Sequence, residues 1–144
     1  MSEPAAPSAE VIMVTGGSGL VGKAVEAYAA ANPVAGESWV FLRSADGDLR
    51  SLEATKAIFE KYRPTQVIHL AAFVGGLFRN LKYKVEFYRY NVLMNDNIME
   101  CCRIYEVRRF HADDCSLVHL FAAQLLCYGG AAFHGFIIVF FHGY

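Results

Sequence analysis

The residues best placed to do chemistry are glycines. Gly16-Gly17-Ser18-Gly19-Leu20-Val21-Gly22 follows the apolar run Val11-Ile12-Met13-Val14-Thr15. A turn of this kind, opening a helix, presents backbone N–H groups that the helix itself cannot pair. Together with the helix dipole they favour a pyrophosphate. Gly16 is expected to make the tight turn, Gly19 to let the backbone approach the phosphates, and Gly22 to let helix and strand pack closely. The same letters nearly spell a triphosphate-binding loop. Gly17-x-x-x-x-Gly22-Lys23 fits that pattern until Ala24, where a hydroxyl for magnesium should stand. Nor does a later strand end in an acidic residue, since Val67-Ile68-His69-Leu70 runs into Ala71-Ala72. The motif therefore predicts a dinucleotide.

The surrounding elements are those that such a turn needs. Val11–Val14 is the first expected strand. Leu20–Ala31 is a helix with Leu20, Ala24, Val25 and Tyr28 on one stripe, stopped by Asn32-Pro33. Trp39-Val40-Phe41-Leu42 is a second strand, and Asp48-Leu49 sits in a short connection with room for a vestigial third. Ser51 can cap a helix through Tyr62 that turns Leu52, Ile58 and Phe59 to the core and closes at Pro64. Val67–Ala72 is a further buried strand. From Val85 to Tyr105, the residues Val85, Tyr88, Val92, Ile98, Cys102 and Tyr105 recur at helical spacing. Strand–helix alternation of this kind implies an α/β fold with parallel pairing and right-handed crossovers.

The 144 residues suffice for one domain with a real core. A net charge of −1 gives no field that would attract nucleic acid or anionic lipid. Arg79, Lys82, Lys84 and Arg89 make a local basic cluster that a solvated helix face explains as well. Residues 1–9 read as a short disordered leader without the basic and apolar regions of a signal peptide. Cys101, Cys102, Cys115 and Cys127 form no C-x-x-C pair, which suits reduced thiols in a cytoplasmic protein.

Beyond the glycine turn the wording becomes specific. Gly-x-x-Gly-x-x-Gly is the spacing typical of short-chain dehydrogenase/reductases. Thr15–Lys23, His69-Leu70-Ala71-Ala72, Val74-Gly75-Gly76-Leu77-Phe78-Arg79-Asn80 and Asn91-Val92-x-Met94-Asn95-Asp96-Asn97 together resemble the GDP-L-fucose synthase family of extended short-chain dehydrogenase/reductases. The resemblance covers about residues 10–107 and implies the N-terminal part of a Rossmann-type doubly wound sheet that binds NADP(H). It implies a cofactor site from Gly16, Gly17, Ser18, Gly19, Leu20, Val21 and Gly22, with Asp48 and Leu49 flanking the adenine and Leu70, Ala71 and Ala72 beside the nicotinamide ribose. Val74, Gly75, Gly76 and Asn91 fall on its substrate-side loop, a reading favoured over Gly75-Gly76 as just a flexible strand exit because ligands bind at the carboxyl ends of such strands. The family's substrate is a nucleotide sugar, GDP-4-keto-6-deoxy-mannose, which is epimerised and then reduced. The helix from Val85 to Tyr105 matches one the family uses to form dimers.

Cofactor choice can be argued from the residues themselves. A site selecting NAD would place Asp or Glu at the end of the second strand to bind the ribose 2′-hydroxyl. This chain has Leu42-Arg43-Ser44 there. Arg43 can either hold a 2′-phosphate or stand as a solvated strand-end charge; the first reading favours NADP(H).

The family's Ser or Thr and its Tyr-x-x-x-Lys have no counterpart, because no tyrosine here has a lysine four residues later. No catalytic residue is therefore assigned, and the chain reads as truncated, either an inactive reductase portion or a non-catalytic dinucleotide-binding or dimerisation module. At Val107-Arg108, whose codons can read GTA-AGA, the wording changes, and residues 108–144 form an apolar tail foreign to the family. Three accounts of the tail stand: translated non-coding sequence, preferred here; a membrane anchor, weakened by His119, Gln124, His134 and Gly129-Gly130; and a metal site from His111, Asp113, Cys115 and His119, which lacks a recognised spacing. On this reading the outer edge of strand Val67–Ala72 has no partner, unless Phe136-Ile137-Ile138-Val139-Phe140 folds back as a substitute.

Overall fold

A computed structural model describes residues 9–112. The leader, the tail from Asp113 onward, the candidate ligands Asp113, Cys115 and His119, and the substitute strand Phe136–Phe140 lie outside the described residues. Strands β1 (Glu10–Thr15), β2 (Glu37–Phe41), β3 (Gln66–His69) and β4 (Arg109–Ala112) alternate with helices α1 (Leu20–Ala31), α2 (Leu52–Tyr62), α3 (Leu77–Lys82) and α4 (Lys84–Ile104). They form one four-stranded sheet in the order β2-β1-β3-β4, parallel throughout. The chain leaves β1 toward β2 and then crosses back to β3 and β4. Right-handed crossovers therefore put α1 on one face and α2 and α4 on the other.

The core lies between the sheet and the α2/α4 layer. Met13 and Val67 stand opposite one another in register and point into it with Leu42, Ile58, Phe59, Ile98 and Cys101. Strand alternation turns Ile12 and Val14 to the other face. Ser51 caps α2 by accepting the Ala54 N–H at 3.4 Å, and Glu53 and Lys61 sit at the ends their charges favour. Arg63 closes α2 in the left-handed conformation at φ 47°, immediately before buried Pro64.

Several expectations need correction. The stripe proposed for α1 is not buried: Leu20 is 91% and Tyr28 67% exposed, and Gly22 is the buried residue of the helix. Among the described residues α1 alone covers its face of the sheet, so no neighbouring helix closes over that stripe. In α4 the buried stripe is Phe87, Asn91, Met94, Asn97, Ile98 and Cys101, whereas Val85, Tyr88 and Val92 face outward. Ile98, Cys102 and Tyr105 of the expected stripe do lie in or against the core, but its first half is misplaced because two of the buried positions are asparagines with internal partners. Asp48-Leu49 forms a turn without a strand, and β3 stops at His69, leaving Leu70–Ala72 as an extended exit. A short helix, α3, starts where only a loop was expected.

The largest correction concerns the edge of β3. It is paired: β4 runs parallel to it, with Val67 opposite Phe110 and Ile68 opposite His111. The Arg108 N–H to Thr65 carbonyl bond at 2.9 Å begins that pairing. Phe110 packs toward the core, its ring 6.5 Å from that of His69. Phe110, on the core side of the strand, docks this segment against the sheet. Among the described residues no helix is long and apolar enough to cross a membrane, and no cluster of metal-ligating side chains occurs.

Candidate dinucleotide-binding site

The carboxyl ends of the strands open into a cleft of about 580 Å³, bordered on the β2 side by Leu42–Ser44 and Gly47–Arg50 and on the β3 side by Leu70–Val74. Its floor is the glycine turn. Gly16 sits at φ +72°, and a Cβ there would lie 2.9 Å from the Leu70 carbonyl and the Ala71 nitrogen. Only glycine combines that torsion with so close a backbone neighbour. The Gly19 N–H donates to the Gly16 carbonyl at 2.9 Å and the Gly17 N–H to the Leu42 carbonyl at 2.9 Å, which ties the turn to β2. Gly22 packs onto the turn itself, since a Cβ there would come within 2.4 Å of the Gly16 oxygen.

Gly19 is the N-cap of α1 and offers no side-chain acceptor, and the first turn of the helix carries no acidic residue. The first N–H groups of α1 are thus left for an outside acceptor, in a cradle lined by backbone. These residues fit a dinucleotide pyrophosphate.

The residues singled out from the sequence fall into three groups. Gly16, Ser18, Gly19, Leu20, Val21, Gly22, Arg43, Asp48, Leu49, Leu70, Ala71, Ala72 and Val74 all line the cleft. Gly17 lies behind it against Phe41, and Gly75 and Gly76 lie beyond its rim. Asn91 approaches from behind: its Oδ1 accepts the Phe73 N–H at 2.7 Å, and its Nδ2 donates to the carbonyls of Phe73 and Phe87 at 3.0 and 2.9 Å. It holds the loop rather than facing the cleft.

On the β2 side two arginines differ in how far their charge is committed. Asp48 grips Arg50 through paired bonds of 2.9 and 2.7 Å, and the guanidinium lies 4.7 Å above the Tyr90 ring. The Arg50 bond holds the Asp48 carboxyl below its usual range. Arg43 is exposed, and its ion pair with Glu26 is loose at 4.0 Å. Its backbone is fixed instead, by the Arg43 N–H donating to Asp46 Oδ2 at 2.7 Å. Arg50 and Phe73, which the sequence did not single out, also line the cleft; the run Asp48-Leu49-Arg50 was the available signal.

Behind the β3 side lies a polar cluster. The Thr15 hydroxyl accepts the N–H groups of Leu70 and Ala71, both at 3.1 Å, and lies 2.6 Å from His69 Nδ1. With both lone pairs engaged, the hydroxyl donates to Nδ1, so the His69 proton sits on Nε2 and goes to Asn95 Oδ1 at 2.8 Å. Burial, partly opposed by that Asn95 bond, pushes the His69 pKa down and keeps the ring neutral.

Burial raises the pKa of Cys101 to about 11 and of Cys102 to about 12. Tyr105 ends α4 at the opposite edge of the sheet, where its hydroxyl donates to Glu60 Oε1 at 3.1 Å.

A parallel sheet wound in this order, with a glycine turn under a cleft at its carboxyl edge, defines a Rossmann-type dinucleotide-binding protein. The NAD dependent epimerase/dehydratase family profile matches residues 12–116, and the chain belongs to that family. It is 55% identical over 100 residues to the GDP-L-fucose synthase of Dictyostelium discoideum, covering 69% of this chain and 31% of that protein. A probable GDP-L-fucose synthase of Drosophila melanogaster is 51% identical over 89 residues, covering 62% and 28% respectively. The crystal structure of a GDP-L-fucose synthetase from Naegleria fowleri bound to NADP superposes with a TM-score of 0.64 at 51% identity, covering 72% of this chain and 30% of that one. The chain thus spans about a third of the length of the curated relatives it matches. The family match extends past Val107 and takes in β4.

Proposed function

We propose that the described residues form the dinucleotide-binding portion of a GDP-L-fucose synthase-like reductase and bind NADP(H) across the carboxyl edge of the sheet. The single observation that carries this reading is the uncapped N-terminus of α1 over the Gly16–Gly22 turn, at the floor of the cleft. The α1 N–H groups would hold the pyrophosphate. Arg43, exposed and only loosely paired, would take the 2′-phosphate in its planar fork. Leu49 would pack beside the adenine, and Leu70–Ala72 would run along the other ribose. When bound, NADPH supplies a hydride. In the family that hydride reduces the keto group of an epimerised GDP-4-keto-6-deoxy-mannose. Within these residues no Tyr-x-x-x-Lys supplies the acid for that step, so they bind the cofactor without turnover.

A second reading, that of a non-catalytic dimerisation module, draws on the outer face of α4. Val85, Tyr88, Val92, Leu93, Met99 and Ile104 are exposed along one helix, a surface that would suit a second copy or a full-length subunit. Calorimetry with NADPH and NADH tests the first reading. NADPH should bind more tightly, and Arg43→Ala should bring the two within about twofold of each other by removing a charge-assisted bond of about 1.5–3 kcal/mol. Equal affinity in the unmodified chain would remove the role given to Arg43. Absence of binding to either would remove the cofactor reading. Sedimentation with and without Val92→Asp tests the second, which fails if both forms are monomeric.

A further inference from the structure

α4 makes three side-chain ties to the carboxyl edge of the sheet, and each goes to a different segment of the cleft's border. Asn97 Nδ2 donates to the Leu49 carbonyl at 2.9 Å, and Thr55 Oγ1 approaches the same oxygen at 3.3 Å. Asn95 accepts from His69 Nε2, and His69 in turn meets the Thr15 hydroxyl that takes up the Leu70 and Ala71 N–H groups. Asn91 binds both the N–H and the carbonyl of Phe73. A buried asparagine on a helix is costly unless its amide is satisfied. Here Asn91 and Asn97 are buried, and each bonds loop backbone: Asn91 both polar groups of Phe73, and Asn97 the Leu49 carbonyl.

We propose that Asn91, Asn95 and Asn97 are positioning residues that make α4 the frame of the dinucleotide cleft, each setting the half of the ligand beside the segment it holds. The inference rests on the cofactor reading above. With the pyrophosphate at α1, the first nucleotide lies on the β2 side, where Leu49 is. The second lies toward β3, where Leu70–Phe73 are. Asn97 therefore governs the adenosine end, while Asn91 and Asn95 govern the nicotinamide end.

The test is binding of NADPH and of adenosine 2′,5′-bisphosphate, which carries only the adenosine end, by the full 144-residue chain and its variants. Asn97→Ala should weaken both ligands by a similar factor, about tenfold for the lost bond. Asn91→Ala should weaken NADPH comparably while leaving the bisphosphate within about twofold. Asn95→Ala, at a half-buried position, repeats the second pattern with less risk to the fold.

Amide exchange of the ligand-free chain adds a readout that does not depend on binding. Asn91→Ala should deprotect the Phe73 amide and leave those of Gly17 and Leu42 unchanged. If the unmodified chain binds neither ligand, the cofactor reading falls and the ligand-half assignment with it, while exchange still decides whether the ties hold the loops. If the unmodified chain binds but all three variants lose both ligands equally, or exchange rises uniformly across the sheet, the asparagines are ordinary core residues and the positioning role is wrong.

Discussion

Gly22→Ala and Gly19→Ala, one helical turn apart, should separate folding from binding. At Gly22 an added Cβ would lie 2.4 Å from the Gly16 oxygen and 2.7 Å from the Gly17 Cα. Both are backbone atoms, so a side-chain rotation cannot relieve the contact and α1 must move off the turn. Overpacking of this kind costs about 1–3 kcal/mol, and backbone neighbours place it near the upper end. Alanine returns about 1 kcal/mol in helix propensity. The net loss is therefore about 2 kcal/mol, or about 8–16 °C in Tm for a domain of this size.

At Gly19 the neighbour within range is the Gly16 oxygen at 3.2 Å, and the backbone is extended at φ −73°. Alanine fits there with a stability change within about 1 kcal/mol, mostly from its poorer capping. It does, however, push a methyl toward the phosphates. NADPH affinity should fall about tenfold, and with Gly19→Val binding should be lost. Thermal melts and calorimetry on the same preparations check both halves. A Gly22→Ala chain as stable as the parent would refute the packing reasoning. A Gly19→Ala chain that melts as early as Gly22→Ala, or binds NADPH as the parent does, would refute the division of labour between the two glycines.

Two further outcomes follow from the β3 side. His69 has its pKa lowered by burial, so the unfolded chain takes up a proton near pH 6.5 that the folded chain resists. Its contribution is complete above that pH and is lost as pH falls below it, with a slope of at most about 1.4 kcal/mol per pH unit. Melts between pH 8 and 5 should show the decline, flattened in His69→Gln; identical slopes would show that the ring is not held neutral. Truncation after Glu106 removes β4 and the Phe110 contact with the core, and should destabilise the chain by at least about 2 kcal/mol in urea melts; unchanged stability would mean that β4 does not bind the sheet.

The sequence made the cleft legible at the glycine turn, because the φ of Gly16 and the crowding at Gly22 leave no other residue type possible. Leu20–Ala31 and the Ser51 cap were equally plain, since local signals set them. What escaped was tertiary. Asn91 and Asn97 look like surface residues until the loops they bond are in place, and so the first half of the α4 stripe was read from Val85, Tyr88 and Val92, while Ile98, Cys102 and Tyr105 were placed correctly. β4 escaped because Arg109–Ala112 is only four residues long and carries a charge at its start, a weak strand signal by itself. Register against β3 makes it a strand, and register is absent from a single segment's pattern.

A dinucleotide bound as proposed lies across the glycine turn between the β2 and β3 sides of the cleft. Backbone amide shifts of the labelled 144-residue chain during an NADPH titration test it most directly. Saturable changes are expected at Ser18–Gly22, Arg43–Leu49 and Leu70–Val74, and none at Val85, Val92 or Met99 on the outer face of α4. Changes confined to α4, or no change at Ser18–Gly22 at saturating NADPH, would contradict it.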